Sequence, residues 1–289
     1  MTHLLCFGLG YSAGVLARRL AGQGWTITGT SRTSAGAQHI ADCGYRGMVF
    51  DGRLISADVS VALKSATHIL LSIPPDNDGD PAMRAYGDDI AANTNVKWIG
   101  YFSTVGVYGD AEGGWVSEET EARPGSERGR RRLDAENAWR DLGRSSGKSV
   151  VVFRLPGIYG PGRSTIDDVR DGSARRLIKP GQVFNRIHVE DIASAVQAAL
   201  SPPHADRVYN VTDDDPGPPQ DVVAYAAGLL GLPVPPDLDF ATTELSPMAR
   251  SFYSESKRVS NARMKRELGV TLAYPSFRDG LSAIVRNSR

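Results

Sequence analysis

The first residues with a spacing that could do chemistry are Gly8-Leu9-Gly10-Tyr11-Ser12-Ala13. An apolar run, His3-Leu4-Leu5-Cys6-Phe7, precedes them, and Val15, Leu16 and Leu20 follow on one side of a helix. G-x-G-x-x-A between a strand and a helix is the spacing of a dinucleotide-binding turn. Gly8 allows the tight turn, Gly10 lets backbone approach a pyrophosphate, and Ala13 lets the helix pack on the strand. Tyr11 and Ser12 open the helix, where free N–H groups face negative charge. Gly10-Tyr11-Ser12-Ala13-Gly14 also fits the G-x-S-x-G elbow of serine hydrolases. Chain order excludes that reading: the elbow needs an oxyanion loop from earlier in the sheet, and too few residues precede Ser12 to supply one.

The second strand ends at Gly29-Thr30-Ser31-Arg32, and no carboxylate occurs before Asp42. NAD-binding turns place an acid about 20 residues on, to hold the ribose 2′-hydroxyl. Hydroxyls and a guanidinium suit a 2′-phosphate instead. Ser31 and Arg32 therefore point to NADP, with NAD the alternative cofactor. The competing reading of Arg32 is a plain surface arginine.

Strands at 26–30, 46–50, 68–72, 98–103 and 149–155 alternate with helical stretches that include 80–92 and 130–142. Such alternation predicts an α/β fold, with a doubly wound parallel sheet covered on both faces and a ligand at the carboxyl ends of its strands. After Leu155 the pattern loosens into a smaller C-terminal region, with helices expected at 220–230 and 254–268. The loop Asp213-Asp214-Asp215 reads as a solvated cap for the first of these. The basic run Lys257, Arg258, Arg263, Lys265 and Arg266 reads as a solvated helix face.

With 33 basic and 33 acidic residues, 41% hydrophobic and 23% charged, composition gives no electrostatic support for a nucleic-acid or membrane-surface partner. No apolar run approaches a membrane span, and the start shows no charged leader. Cys6 and Cys43 make no disulfide framework, so a reducing, cytoplasmic compartment fits. The histidines, His204 among them, make no metal-spaced pair, and no metal is expected.

Three further stretches carry a resemblance: Ser103-Thr104-Val105-Gly106-Val107-Tyr108-Gly109, Arg154-Leu155-Pro156-Gly157-Ile158-Tyr159-Gly160, and Ile187-His188-Val189-Glu190-Asp191. Together with the glycine turn, the chain resembles an atypical branch of the extended short-chain dehydrogenase/reductases, which include sugar-nucleotide epimerases and dehydratases. The resemblance implies a Rossmann domain over residues 1–165, returning around 183–213, and a mainly substrate-binding region over 166–289. It implies cofactor contacts from Asp51, from Ser72, Ile73 and Pro74, from Ser103, and from Pro156, Gly157 and Ile158. Thr104 falls at the family's catalytic hydroxyl.

The family's Y-x-x-x-K pair, its acid/base and ribose-binding residues, is absent. Arg128 and Arg132 hold those positions. A guanidinium is a poor proton donor near neutral pH. Two outcomes stay open: an NADP-preferring oxidoreductase or epimerase-like enzyme with a non-standard active site, or a non-catalytic NADP(H) sensor. In the first, Arg128 binds an anion or stabilises an oxyanion, and Tyr108 and Tyr159 are candidate donors that could equally pack in the core. The expected partner is a small molecule, anionic in the reading that uses Arg163 and Arg186. The expected assembly is a monomer or homodimer.

Overall fold

The computed structural model describes residues 2–200 and 206–288; His204 lies outside them. The chain divides into two compact units. The first comprises 1–104, 127–154 and 192–209, and the second comprises 105–126, 155–191 and 210–289.

The first unit is built from β1 (His3–Phe7), α1 (Tyr11–Ala21), β2 (Thr26–Ser31), α2 (Ser34–Asp42), β3 (Arg46–Val49), α3 (Ala57–Ser65), β4 (His68–Leu71), α4 (Pro81–Ala92), β5 (Trp98–Thr104), α5 (Glu127–Ser146), β6 (Ser149–Leu155), α6 (Val189–Ala198) and β7 (Arg207–Asn210). The strands form one sheet in the order β7-β6-β5-β4-β1-β2-β3. Strands β3 through β5 pair in parallel throughout. The order reverses between β1 and β4, which creates the switch point where open α/β sheets bind ligands. This is the doubly wound Rossmann arrangement that the alternating pattern predicts.

The strands β1, β4, β5 and β6 are largely apolar runs because both faces are covered. All of β1 and the last three residues of β4 are buried. On one face Phe7, Phe50 and Tyr86 pack ring against ring at 5.4–5.7 Å, and Trp139 of α5 is fully buried in the same cluster. On α1, Val15, Leu16 and Leu20 face inward as expected. Asp80 caps α4 by accepting the Met83 N–H at 2.9 Å, with Pro81 as first helical residue.

The second unit has shorter pieces. Gly157–Tyr159 pairs with Arg186–His188, Arg176–Ile178 with Asp237–Asp239, and Trp115–Val116 with Arg258–Val259, all in parallel. Helices Thr165–Arg170, Pro219–Leu230 and Phe277–Asn287 enclose a core around Ile166, Ala226 and Leu281.

Three expectations fail here. Residues 254–268 are not one helix: a helix at Pro247–Phe252 and another at Ala262–Leu268 flank the strand Arg258–Val259. The Arg258 N–H donates to Gly114 O at 2.8 Å and the Ser260 N–H to Val116 O at 2.9 Å, so cross-chain pairing outcompetes helix propensity. The basic run is not a solvated face either. Lys257 is buried and pairs with Glu255 at 2.6 Å, Arg263 lies 3.3 Å from Glu119, and Lys265 pairs with Asp214. Finally, the aspartates do not cap the helix at 219–230, whose cap position is Pro218 without a side-chain bond. Asp213 is buried, and Asp215 pairs with Arg278 at 2.6 Å.

Candidate cofactor and catalytic site

At the carboxyl end of β1, Gly8 takes φ +86°, a conformation L side chains rarely adopt. Its N–H donates to Thr30 Oγ1 at 2.9 Å, and the Leu9 N–H donates to Thr30 O at 3.0 Å. The turn is thus pinned onto β2. Gly29 makes room for this: a Cβ there would lie 2.4 Å from Leu9 Cβ. Gly10 forms the cap of α1 without any side-chain cap bond, and a Cβ on it would meet no heavy atom within 4 Å. The space in front of the helix start is therefore open, as close backbone approach to a pyrophosphate requires. Ser12 is buried in the first turn, and Ala13 is fully buried beneath it. The residues present fit a dinucleotide.

The neighbouring strand ends bring the other predicted residues to the same edge. Ser31 closes β2, its carbonyl accepting the Phe50 N–H at 2.8 Å. Arg32 is exposed, and among the described residues its guanidinium has no protein partner. Thr33 then caps α2, accepting the Gly36 N–H at 3.1 Å. Past β3, Asp51 Oδ1 accepts the backbone N–H of Arg53 at 2.8 Å and of Leu54 at 3.3 Å, and these bonds hold its carboxyl below the usual carboxylate range. Past β4, the Ser72 N–H donates to Phe7 O at 2.9 Å. Ile73 N stands 3.3 Å from where a Cβ of Gly8 would be, so 72–74 run directly against the glycine turn.

At the end of β5, Ser103 is buried and its hydroxyl donates to Glu136 Oε1. Glu136 also receives Arg154, whose NH2 donates to Oε2 at 2.7 Å. Ser103 thus belongs to a buried network with α5 and β6. Thr104 beside it is half-buried. From α5, Arg132 reaches back to β5: its NH1 donates to Phe102 O, with the Tyr101 hydroxyl at 3.4 Å and the guanidinium 5.8 Å from the Tyr101 ring centroid. Burial pushes the Tyr101 hydroxyl well above its ordinary pKa. Arg128 lies exposed in the first turn of α5. Arg131 bonds Asn77 and lies 3.8 Å from Glu127.

The second unit holds Pro156, Gly157 and Ile158; the Gly157 N–H donates to Asn185 O at 3.2 Å. The two tyrosines are core residues: Tyr108 donates to Asn210 Oδ1 at 2.8 Å and Tyr159 to Ser276 O at 3.2 Å, both buried. A cavity of about 450 Å³ is lined by Thr165, Asp168, Arg175, Phe184 and Arg186 among others. Arg186 is held by the carbonyls of Phe184 at 3.1 Å and Gly217 at 3.3 Å. Asp213 exerts an electrostatic pull on Arg186, but burial pushes its own carboxyl up to about 8. Arg163 is exposed.

A family model described as the NAD dependent epimerase/dehydratase family matches residues 89–212. A solved structure from Silicibacter pomeroyi, described as a functionally unknown conserved protein, is 50% identical, covers 100% of this chain and 99% of its own, and superposes with a TM-score of 0.91. Residues 89–212 thus form an NAD dependent epimerase/dehydratase family domain. Protein YeeZ of Escherichia coli K12 is 28% identical over 95% of this chain and 97% of its own. The dTDP-glucose 4,6-dehydratase of Bacillus anthracis, solved in complex with NAD, is 17% identical; it covers 99% of this chain and 96% of its own with a TM-score of 0.79, a likeness of fold. The family match spans Ser103, Thr104, Arg128 and Arg132 but not the glycine turn, so the turn stands on its own geometry.

Four residues take structural roles here that their sequence context does not show. Gly29 and Thr30 seat the turn, and the signal available was a glycine inside a strand. Glu136 and Arg154 were legible as charges inside otherwise buried elements, but not as partners of each other or of Ser103.

Proposed function

We propose that the chain binds NADP in preference to NAD and acts as an oxidoreductase or epimerase-like enzyme with a non-standard catalytic set. The observation that carries this reading is the carboxyl edge of the first unit. There an open, side-chain-free helix start at Gly10 shares the edge with Arg32 at the end of β2, which has no protein partner among the described residues.

On this reading the backbone of Gly8–Ser12 holds the pyrophosphate. Arg32 and Ser31 take the 2′-phosphate, for which a guanidinium offers a bidentate, charge-assisted pair of bonds. Ser72–Pro74 lie along the bound cofactor, and Asp51 turns its free oxygen toward the adenine side. The bound cofactor supplies hydride exchange at the nicotinamide. Thr104 donates a hydrogen bond to the substrate oxygen. Arg132, braced on Phe102 O, holds a ribose hydroxyl. Arg128 receives an anionic group and stabilises negative charge on oxygen, because a guanidinium is a cation that offers hydrogen-bond donors only. Within the second unit, Arg163 and Arg186 suit an acidic or phosphorylated ligand.

Deuterated NADPH tests this reading. With a panel of carbonyl compounds and sugar nucleotides, stereospecifically labelled NADPH is expected to lose deuterium to at least one substrate. Tight binding with complete retention of label would leave a non-catalytic sensor. That second reading is favoured by one observation: Arg128 and Arg132, rather than a Tyr and a Lys, occupy the two positions on α5. Gain of reductase activity in Arg128→Tyr would separate the two, since it would show a competent pocket lacking only its acid.

A further inference from the structure

The amino edge of the first unit's sheet, opposite the cofactor edge, carries a cavity of about 530 Å³. It lies at the starts of β4, β5 and β6 and against the C-terminal half of α5, and its volume falls in the range of about 300–1,000 Å³ seen for small-molecule sites. Its floor is aromatic. The rings of His68 and Trp98 lie 6.1 Å apart, and the Trp98 indole N–H is fixed on Ala199 O at 2.8 Å. Burial lowers the His68 pKa to about 4, so this ring is uncharged at neutral pH.

The rim is cationic. Lys97, Arg140, Arg144 and Lys148 line the cavity with Asp206 as the one carboxylate among its lining residues. Asp206 is already engaged by Arg140 Nε at 2.6 Å and Arg144 NH1 at 3.1 Å, and Arg144 also pairs with Asp141. The arginines are therefore balanced, and the lysines are not. Lys148 rests its ammonium on Asn93 O at 2.7 Å and Val96 O at 3.4 Å, which leaves one N–H free. Burial and the nearby Lys97 both lower its pKa. Among the described residues Lys97 has no ion-pair partner. Two ammonium groups that repel across a cavity are stabilised by an anion between them.

We infer that this cavity is a second ligand site that takes a small aromatic anion, its ring against His68 and Trp98 and its charged group between Lys97 and Lys148. The anion is a ring-borne carboxylate or phosphate ester, and the site is separate from the cofactor edge.

Heteronuclear NMR on the full chain tests it, with naphthalene-1-carboxylate and 1-naphthyl phosphate as probes and neutral naphthalene-1-carboxamide as control. At least one anion is expected to shift the Trp98 indole resonance, assigned through Trp98→Phe, and to bind about tenfold or more tightly than the amide. Whichever anion binds more tightly identifies the charged group. Lys97→Glu, at an exposed position, is expected to weaken that anion about tenfold, and added salt to weaken it further. Saturating NADPH leaves the affinity unchanged, so the outcome is independent of the cofactor assignment. No Trp98 shift with either anion, equal affinity for the amide, or a Lys97→Glu protein that binds as the wild type would each overturn the site.

Discussion

Glu136 receives both Ser103 and Arg154 with almost no solvent at the carboxylate. Removing one partner of such a buried pair leaves the other charge uncompensated, at a cost of about 3–5 kcal/mol. Glu136→Ala should lower unfolding free energy by that order in urea titration, and a change below about 1 kcal/mol would contradict the network. In the second unit Asp213 gives a pH signature. Its folded-state pKa near 8 lies above the ordinary 3.8, so the folded chain keeps a proton that the unfolded chain has released. The stabilisation from that proton is complete below about pH 4 and is lost progressively as pH rises to about 8. Asp213→Asn carries no proton to lose, so thermal scans should show its melting temperature gaining on the wild type between pH 5 and pH 8. A constant difference would contradict the buried assignment. Neither residue announced its role in sequence. Each was one acid in a charged stretch, and only packing decides that Glu136 turns inward to Arg154 while Asp214 and Asp215 pair at the surface.

At the scale of elements, the glycine turn depends on β2 as much as on its own glycines. A Cβ on Gly29 would strike Leu9, and Thr30 holds Gly8 and Leu9 by side chain and backbone. Gly29→Ala should therefore displace the turn, cost about 1–3 kcal/mol of stability and weaken NADPH binding, checked by urea titration and calorimetry together. Unchanged affinity would mean the turn does not hold the cofactor. Six strands of the first unit, β1 to β6, were legible; β1, β4, β5 and β6 read as apolar runs because parallel strands buried on both faces do so. The strand Arg258–Val259 was not legible. Two residues carry no periodicity, and its pairing partner Trp115–Val116 lies far away in sequence. Of the candidate site, the glycine turn, Arg32 and the β4 and β5 ends were readable as motifs. The assignment of Ser103 to a structural network was not, because a motif gives a residue's position but not its hydrogen-bond partner.

For the whole molecule, residues 89–212 match the NAD dependent epimerase/dehydratase family, and the first unit has a Rossmann-type parallel sheet. On the proposed reading, Arg32 at the end of β2 stands where an acid is expected and Arg128 on α5 where a proton donor is expected. Both residues put positive charge where related chemistry would use a carboxylate or a phenol, and both suit anionic ligands. The proposed NADP preference stands or falls on Arg32. Titration calorimetry of NADPH and NADH against wild type and Arg32→Asp tests it most directly. The wild type should bind NADPH at least about tenfold more tightly, and Arg32→Asp should abolish or reverse that preference. Equal affinities in the wild type, or a preference that survives Arg32→Asp, would contradict the account.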